Sequence, residues 1–546
     1  MDIDENIVRR KTKIIVTLGE RSSSKEMLVE LIKAGMDVAR ISNRFLKVDK
    51  QEVLKNLKEA MEETNTQIGI MVGLRESDIR IGTFDKTALR LKKNDLVRIS
   101  TNLEDCSKPN TLWCNNKEFS SMVRSGDKLL VDFGKIILTV ITEELQTCKT
   151  ESYIQLPGIH PEKDSSKIGN IMYMLNTNKS NECNRWIRSN SYNDDLQRPK
   201  RQPKNEKSAK SVLCLVENDC ILAVHKPVLI SSGNQIETPT SDVTAQEDFK
   251  LIEWANDNEI DFIVFKQARN HEDLDFLVNL CSPGTTKILG LQNKETLNIF
   301  DSIVDDTDGV IIGRGTLALE TSLADVCRIQ KKVVRKCNEL GKPVIISTQL
   351  LESMVYNNIP TRSEVTDITN AVLDGTDALM LSGETAFGHD PIRAFLACHR
   401  ICIEAEKFLN YTEQCEKIKK MLGTQITVTE NTCYSAVTTV LSIGAKVIVC
   451  LTESGKTAQI ISRFMPPCAI VALTNSRKTE RKMKIIRGVY PFYVTEQTES
   501  DLQERIFRIV KSQKLAETGE FIVIAGGLLH NFDAGNTCSL KILTVK

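Results

Sequence analysis

The 546-residue sequence contains no apolar run close to the roughly 20 residues that a membrane span requires. It has no excess of charge, because Lys+Arg and Asp+Glu number 72 each. That balance argues against nucleic acid or an anionic membrane as a partner. The 16 cysteines include no CxxC pair, so their spacing offers no metal or dithiol motif. Reduced thiols filling small apolar sites are expected instead, and Cys398 and Cys402, on one helix face, read as core. The first residues, Met1-Asp2-Ile3-Asp4-Glu5, are acidic and lack the apolar stretch of a signal peptide, which points to a cytoplasmic protein. No internal repeat of solenoid type is present.

What is present is ordinary globular composition, 41% hydrophobic, over a length that suits two to four domains. Short apolar runs alternate with helical patterns, the signature of a parallel sheet. Eight runs stand out: Ile14–Gly19, Asp37–Asn43, Gly69–Leu74, Asp261–Lys266, Lys287–Gln292, Gly309–Gly315, Pro343–Gln349 and Ala378–Glu384. Ser24–Ala34 and Asp325–Leu340 are among the helices between them. Eight β/α units predict a TIM (β/α)8 barrel with its site at the C-terminal strand ends. The third and fourth runs are too far apart for one crossover helix, so a domain is inserted there. Its early part, Asp95–Thr150, reads as short strands with turns such as Ser125-Gly126-Asp127-Lys128. The expected organisation is barrel at 1–88 and 236–410, a β-rich lid at 89–235 and a C-terminal α/β domain at 411–546. Within the lid, 161–210 is rich in Asn, Ser, Lys and Arg and reads as a disordered, solvated insertion. Its basic end, Arg198-Pro199-Lys200-Arg201-Gln202-Pro203-Lys204, reads as linker. Lys446–Leu451 and Cys468–Leu473 are expected strands of the C-terminal domain.

Three segments carry a specific pattern. They are Pro343-Val344-Ile345-Ile346-Ser347-Thr348-Gln349-Leu350-Leu351-Glu352-Ser353-Met354, Pro360-Thr361-Arg362-Ser363-Glu364 and Leu373-Asp374-Gly375-Thr376-Asp377-Ala378-Leu379-Met380-Leu381-Ser382-Gly383-Glu384-Thr385-Ala386. With Lys11–Gly19, Gly35–Arg40, Val216-Glu217-Asn218 and Leu451–Thr457, they closely resemble the pyruvate kinase family. The resemblance covers nearly the whole chain, 161–210 excepted. It implies a barrel, a β-rich lid and a C-terminal α/β domain, in a homo- or hetero-oligomer that is usually a tetramer. It also implies phosphoryl transfer from phosphoenolpyruvate to ADP, the last step of glycolysis, with Mg²⁺ and K⁺ as cofactors and small phosphorylated metabolites and ADP/ATP as ligands.

That chemistry needs positive charge against an anionic transferring group and enolate. In the family a lysine and a divalent metal held by two carboxylates supply it. By resemblance the lysine position falls on Leu291. The first metal carboxylate, two positions on, falls on Gln292 or Asn293, because the alignment takes a gap there. The second falls on Thr316, in Arg314-Gly315-Thr316-Leu317. Neutral amide and hydroxyl oxygens are weak substitutes for carboxylates at Mg²⁺. The K⁺ positions fall on Ser42 and Arg44 and on Gly73 and Leu74. Only Ser42 offers a side-chain oxygen, and Arg44 brings a cation. Arg75 replaces a family lysine, and Lys266, ending the fourth run, offers charge from a neighbouring position.

Other positions retain the family's residue. Arg40 matches a phosphate-contacting arginine and Thr348 a threonine at the substrate carboxylate. Arg80 and Lys226 match basic residues near the nucleotide, although Pro227 stiffens the second loop. Gly315 opens a helix whose N–H groups suit an anion. Glu384 reads either as a catalytic carboxylate or as a cap of the following helix. Thr452-Glu453-Ser454-Gly455-Lys456-Thr457 reads as a phosphate cradle or as a plain capped turn, and resembles the family's pocket for a sugar-bisphosphate activator. Candidate contacts there are Thr452, Ser454, Gly455, Lys456 and Thr457, facing Gly526–Asn536, which lacks the family's basic contacts. Three functions follow: a pseudoenzyme, an active pyruvate kinase with relocated charges, or a non-catalytic subunit that modulates an active relative.

Overall fold

The computed structural model describes residues 10–42, 46, 49–74, 79–82, 88–102, 110–114, 116, 119–132, 134–142, 211–223, 226–232, 235–237, 242–266, 268, 270–423, 426–495, 499–526 and 537–546. The insertion at 161–210, with its basic end, lies outside the described residues, as do Arg44, Arg75 and 527–536. Two compact units form, one from residues 1–76 and 245–546, the other from 77–244. The second unit therefore begins at Ser77 rather than 89 and ends at Thr244 rather than 235, and Arg80 belongs to it.

All eight apolar runs become strands of one closed parallel barrel. In chain order these are Lys13–Leu18, Val38–Ile41, Gly69–Gly73, Phe262–Phe265, Thr286–Leu291, Gly309–Gly313, Val344–Ser347 and Ala378–Leu381, the last pairing with the first. The intervening helices start where the sequence supplies caps. Ser24 accepts from the Met27 N–H ahead of Lys25–Lys33, and Ser322 accepts from the Asp325 N–H ahead of Leu323–Leu340. Thr361 and Glu364 close a capping box on Arg362–Asp374.

The strands are apolar on both faces, as a barrel wrapped by helices demands. Outward residues such as Val16, Ile70, Leu289, Ile312 and Leu381 pack with the helices in one cluster. Inward residues belong to another. Levels in such a barrel take four side chains from alternate strands. The strand registers give three successive levels: Val38, Phe262, Gly309 and Ala378, then Ile15, Met71, Ile288 and Ile345, then Arg40, Val264, Ile311 and Met380. The lumen is packed for these levels and is not a pore.

The C-terminal part carries a five-stranded sheet in the order Val489–Tyr493, Ala469–Thr474, Val447–Leu451, Phe521–Gly526, Ser539–Thr544, with only the last strand antiparallel. It closes the N-terminal end of the barrel. Arg481 Nε lies 3.0 Å from both carboxylate oxygens of Asp261, which is fully buried. Burial still lifts this carboxyl to about 6, against the pull of Arg481. The Arg487 N–H donates to Asp377 Oδ1 at 3.1 Å, and the Gly488 N–H to the Lys11 carbonyl at 2.9 Å. The floor is thus joined to the C-terminal sheet, and the opposite end of the barrel carries the candidate site.

The second unit is an eight-stranded sheet with a separate pair formed by Ala88–Leu91 and Cys220–Ala223. Among the described residues no helix is long and apolar enough to cross a membrane. Cys398 and Cys402 are fully buried in the barrel–helix layer.

Candidate functional site

Two further levels crown the apolar ones at the C-terminal strand ends. Two residues on from Ile15, Met71, Ile288 and Ile345 lie Thr17, Gly73, Gly290 and Ser347. Two on from Arg40, Val264, Ile311 and Met380 lie Ser42, Lys266, Gly313 and Ser382. The strand period of two gives all eight an inward position. Barrel levels are commonly filled by branched aliphatics, whereas these eight are Gly, Ser and Thr with one lysine. Arg40 belongs to the level beneath, and its Nη1 lies 3.4 Å from Thr17 Oγ1. Both cations are almost enclosed, Arg40 at 4% and Lys266 at 7% exposed.

The fifth strand corrects the sequence reading. Leu291 is fully buried, pairs with Ile312 and lies with Leu289 and Phe300 in the layer between strands and helices. A side chain there points away from the mouth. The inward positions of this strand end are Gly290 and Gln292. A Cβ added to Gly313 would lie 2.7 Å from Gln292 Cγ, so the Gln292 side chain leans across the neighbouring strand. Asn293 is the N-cap of Lys294–Ile303, its Oδ1 accepting from the Thr296 N–H at 2.8 Å. That use removes Asn293 as a metal ligand. Leu74 also lies in the barrel–helix layer and offers the mouth no side-chain oxygen. Ser42 is 1% exposed, on the rim level.

Thr316 is half-buried in the short helix Arg314–Glu320. The Gly315 N–H already donates to Thr348 Oγ1 at 2.9 Å, so this helix start gives its second amide to the protein itself. Thr348 and Gln349 adopt left-handed backbone, φ +67° and +55°, and a β-branched residue there is strained. Arg314 holds them. Its Nη2 reaches both carbonyls at 3.0 Å while its Nη1 pairs with Asp367 at 2.7 Å. The sequence reading did not single out Arg314, since nothing in its spacing reveals two strained carbonyls on the next strand.

Glu384 is 1% exposed and accepts from the Leu351 and Ser382 N–H groups at 3.1 and 2.8 Å. Burial, with Glu352 nearby, pushes its carboxyl up. It ties two mouth loops together. The resemblance implies Mg²⁺ and K⁺, and the residues do not fit them. Gln292 and Thr316 are neutral, Gly73 has no side chain and Leu74 points away. Among the described residues no three His, Cys, Asp or Glu side chains gather in a way that could hold a metal.

Arg80 and Lys226 are neighbours in the second unit. Their strands run antiparallel, with Arg80 opposite Pro227 and Lys226 opposite Ile81. In the C-terminal loop Thr452 Oγ1 accepts from the Gly455 N–H at 2.9 Å, and Thr457 Oγ1 meets Thr537 Oγ1 at 2.7 Å. Gly455 has φ +86°, a value that favours glycine. Two of the three hydroxyls therefore have protein partners, while Ser454 and Lys456 face solvent.

Comparison with known proteins agrees with this architecture. Residues 9–163 and 201–395 match the model of the pyruvate kinase barrel domain, and 430–543 that of the pyruvate kinase alpha/beta domain. A cytosolic pyruvate kinase isozyme of Glycine max is 31% identical over 562 residues, covering 98% of this chain and 96% of that one. Pyruvate kinase of Dictyostelium discoideum is 28% identical, covering 98% of this chain and 94% of its own. Cryptosporidium parvum pyruvate kinase in complex with ADP superposes with a TM-score of 0.78 at 25% identity, covering 100% of this chain and 98% of that one. Barrel, β-rich unit and C-terminal sheet thus occur in the same order along relatives of equal length, and the chain belongs to the pyruvate kinase family.

Proposed function

We propose that this protein is a pseudoenzyme of its family, binding phosphorylated metabolites without transferring their phosphoryl group at a useful rate. The carrying observation is the set of inward positions at the mouth. Lysine and glutamate two positions apart must both face inward on one strand, so Gly290 and Gln292 take their places, and the gap is unnecessary. Glycine, glutamine and Thr316 then stand where the family's chemistry needs one cation and two anionic oxygens. One missing donor to a developing oxyanion costs about 2.7–4 kcal/mol, and groups that act as a unit do not simply add.

Binding groups persist beside this loss. Arg40, braced on Thr17, suits a phosphate, and Thr348 suits a carboxylate at the next strand end. Divalent-metal chemistry has no ligand set here, so no step is derived through it. The nucleotide reading rests on the adjacent strands of Arg80 and Lys226 and on the ADP complex of the Cryptosporidium relative. Lys266 favours the rival reading of relocated charge for the cation alone, because nothing relocates the two acids. A cytoplasmic location and an oligomer remain proposals from family membership.

The test is Mn²⁺ titration followed by electron paramagnetic resonance. Wild type is expected to leave Mn²⁺ unbound, with phosphoenolpyruvate present or absent. Gln292→Glu with Thr316→Asp restores two hard anionic oxygens and is expected to bind it. Stoichiometric Mn²⁺ on the wild-type protein would overturn the proposal.

A further inference from the structure

Arg40 and Lys266 stand on the second and fourth barrel strands. Between them runs the third strand, whose inward residue at the mouth is Gly73. Adjacent strands are about 4.8 Å apart, so the two cationic side chains start roughly 10 Å apart, across a position with no side chain. Two charge-assisted contacts of about 2.8 Å each and one small anion fit that span. Arg40 rises from the level below Gly73, and Lys266 stands one level above it. Neither of the two mouth levels contains a carboxylate.

We infer that the barrel mouth is a metal-independent receptor for a phosphate dianion, with Lys266 as the binding residue that replaces both the missing lysine and the missing metal. The Gly290 position explains why the charge moved rather than vanished. A Cβ on residue 290 would lie 2.8 Å from Lys266 Cα and 3.0 Å from the Phe265 carbonyl. The backbone at Lys266 occupies the start of the path that a lysine on the fifth strand would take. One cation therefore enters from the fourth strand instead. A divalent metal in the same level would face Lys266 and Arg40 as like charges in an enclosed site, which disfavours it further. A phosphate dianion needs only the two cations, the Thr17 and Ser42 hydroxyls and a dry apolar floor formed by Val264 and Ile311.

This inference rests on the proposed metal-free mouth, though not on the absence of turnover. The experiment is calorimetric titration of the full-length protein with inorganic phosphate, and separately with phosphoenolpyruvate, in buffer containing EDTA. Both ligands are expected to bind, with less than about twofold change when Mg²⁺ replaces EDTA. Lys266→Ser is expected to weaken phosphate at least tenfold and Lys266→Arg to retain it. Lys266→Met substitutes for Lys266→Ser if the serine variant does not fold. Inorganic phosphate binding without phosphoenolpyruvate binding would still support a phosphate receptor. No binding in EDTA, binding that appears only with Mg²⁺, or an unchanged affinity in the serine or methionine variant would overturn the inference. Turnover in an activity assay would instead sink the pseudoenzyme reading and leave the EDTA titration as it stands.

Discussion

Gly290 and Lys266 exclude each other's alternatives: a Cβ on residue 290 would lie 2.8 Å from the Lys266 Cα, and that contact is with backbone that cannot swing aside. Gly290→Ala is therefore expected to cost about 1–3 kcal/mol, the usual range for overpacking. Leu291→Lys puts a cation into the apolar barrel–helix layer and is expected to cost about 4 kcal/mol or more, as unpaired buried charges do. Thermal unfolding of the two variants checks both. A Leu291→Lys protein as stable as wild type would mean that residue 291 reaches the mouth after all.

The C-terminal loop makes a separate prediction. With Thr452 and Thr457 engaged by the protein, a phosphorylated small molecule must rely on Ser454, Lys456 and the Gly455 turn. A sugar bisphosphate at about a hundredfold excess over its Kd raises stability by about 2.7 kcal/mol. A thermal-shift screen is expected to find such a ligand for wild type, with the shift much reduced in Ser454→Ala/Lys456→Ala. An equal shift in the double variant would remove the loop from the binding sites.

His399 supplies a pH dependence. Its Nδ1 accepts from Arg10 Nη1 at 2.8 Å, and burial, reinforced by Arg10, lowers the imidazole to about 4. Between its ordinary value of about 6.5 and that folded value the unfolded chain takes up a proton that the folded one refuses, so stability falls as pH falls. His399→Gln keeps an acceptor for Arg10 and cannot titrate. Urea unfolding at about pH 7 and about pH 5 is expected to show wild type losing about 1–2 kcal/mol more than the variant. The buried Asp261 titrates with the opposite sign, equally in both proteins, and drops out of the comparison.

Most of the barrel is legible in the sequence because its strands are short apolar runs bounded by Gly, Ser and Asp, and period and spacing leave few alternatives. The mouth is harder to read. A slip of one position on a strand reverses every side chain, which is how Leu291 came to stand for the inward Gly290. The N-cap role of Asn293 and the grip of Arg314 on two strained carbonyls depend on partners that only the fold brings close. The Asp261–Arg481 contact joins residues 220 positions apart, and no local pattern announces such a pair. What residue identity does reveal is the missing acid at Thr316 and the missing side chain at Gly73, since no arrangement of the backbone turns these into carboxylates.

The most direct test of the account is turnover of the purified full-length protein in a coupled assay with phosphoenolpyruvate, ADP, Mg²⁺ and K⁺. The missing lysine and paired acids predict pyruvate formation at background, before and after Mn²⁺ replaces Mg²⁺. A kcat of about 1–100 s⁻¹, ordinary for kinases, would contradict it.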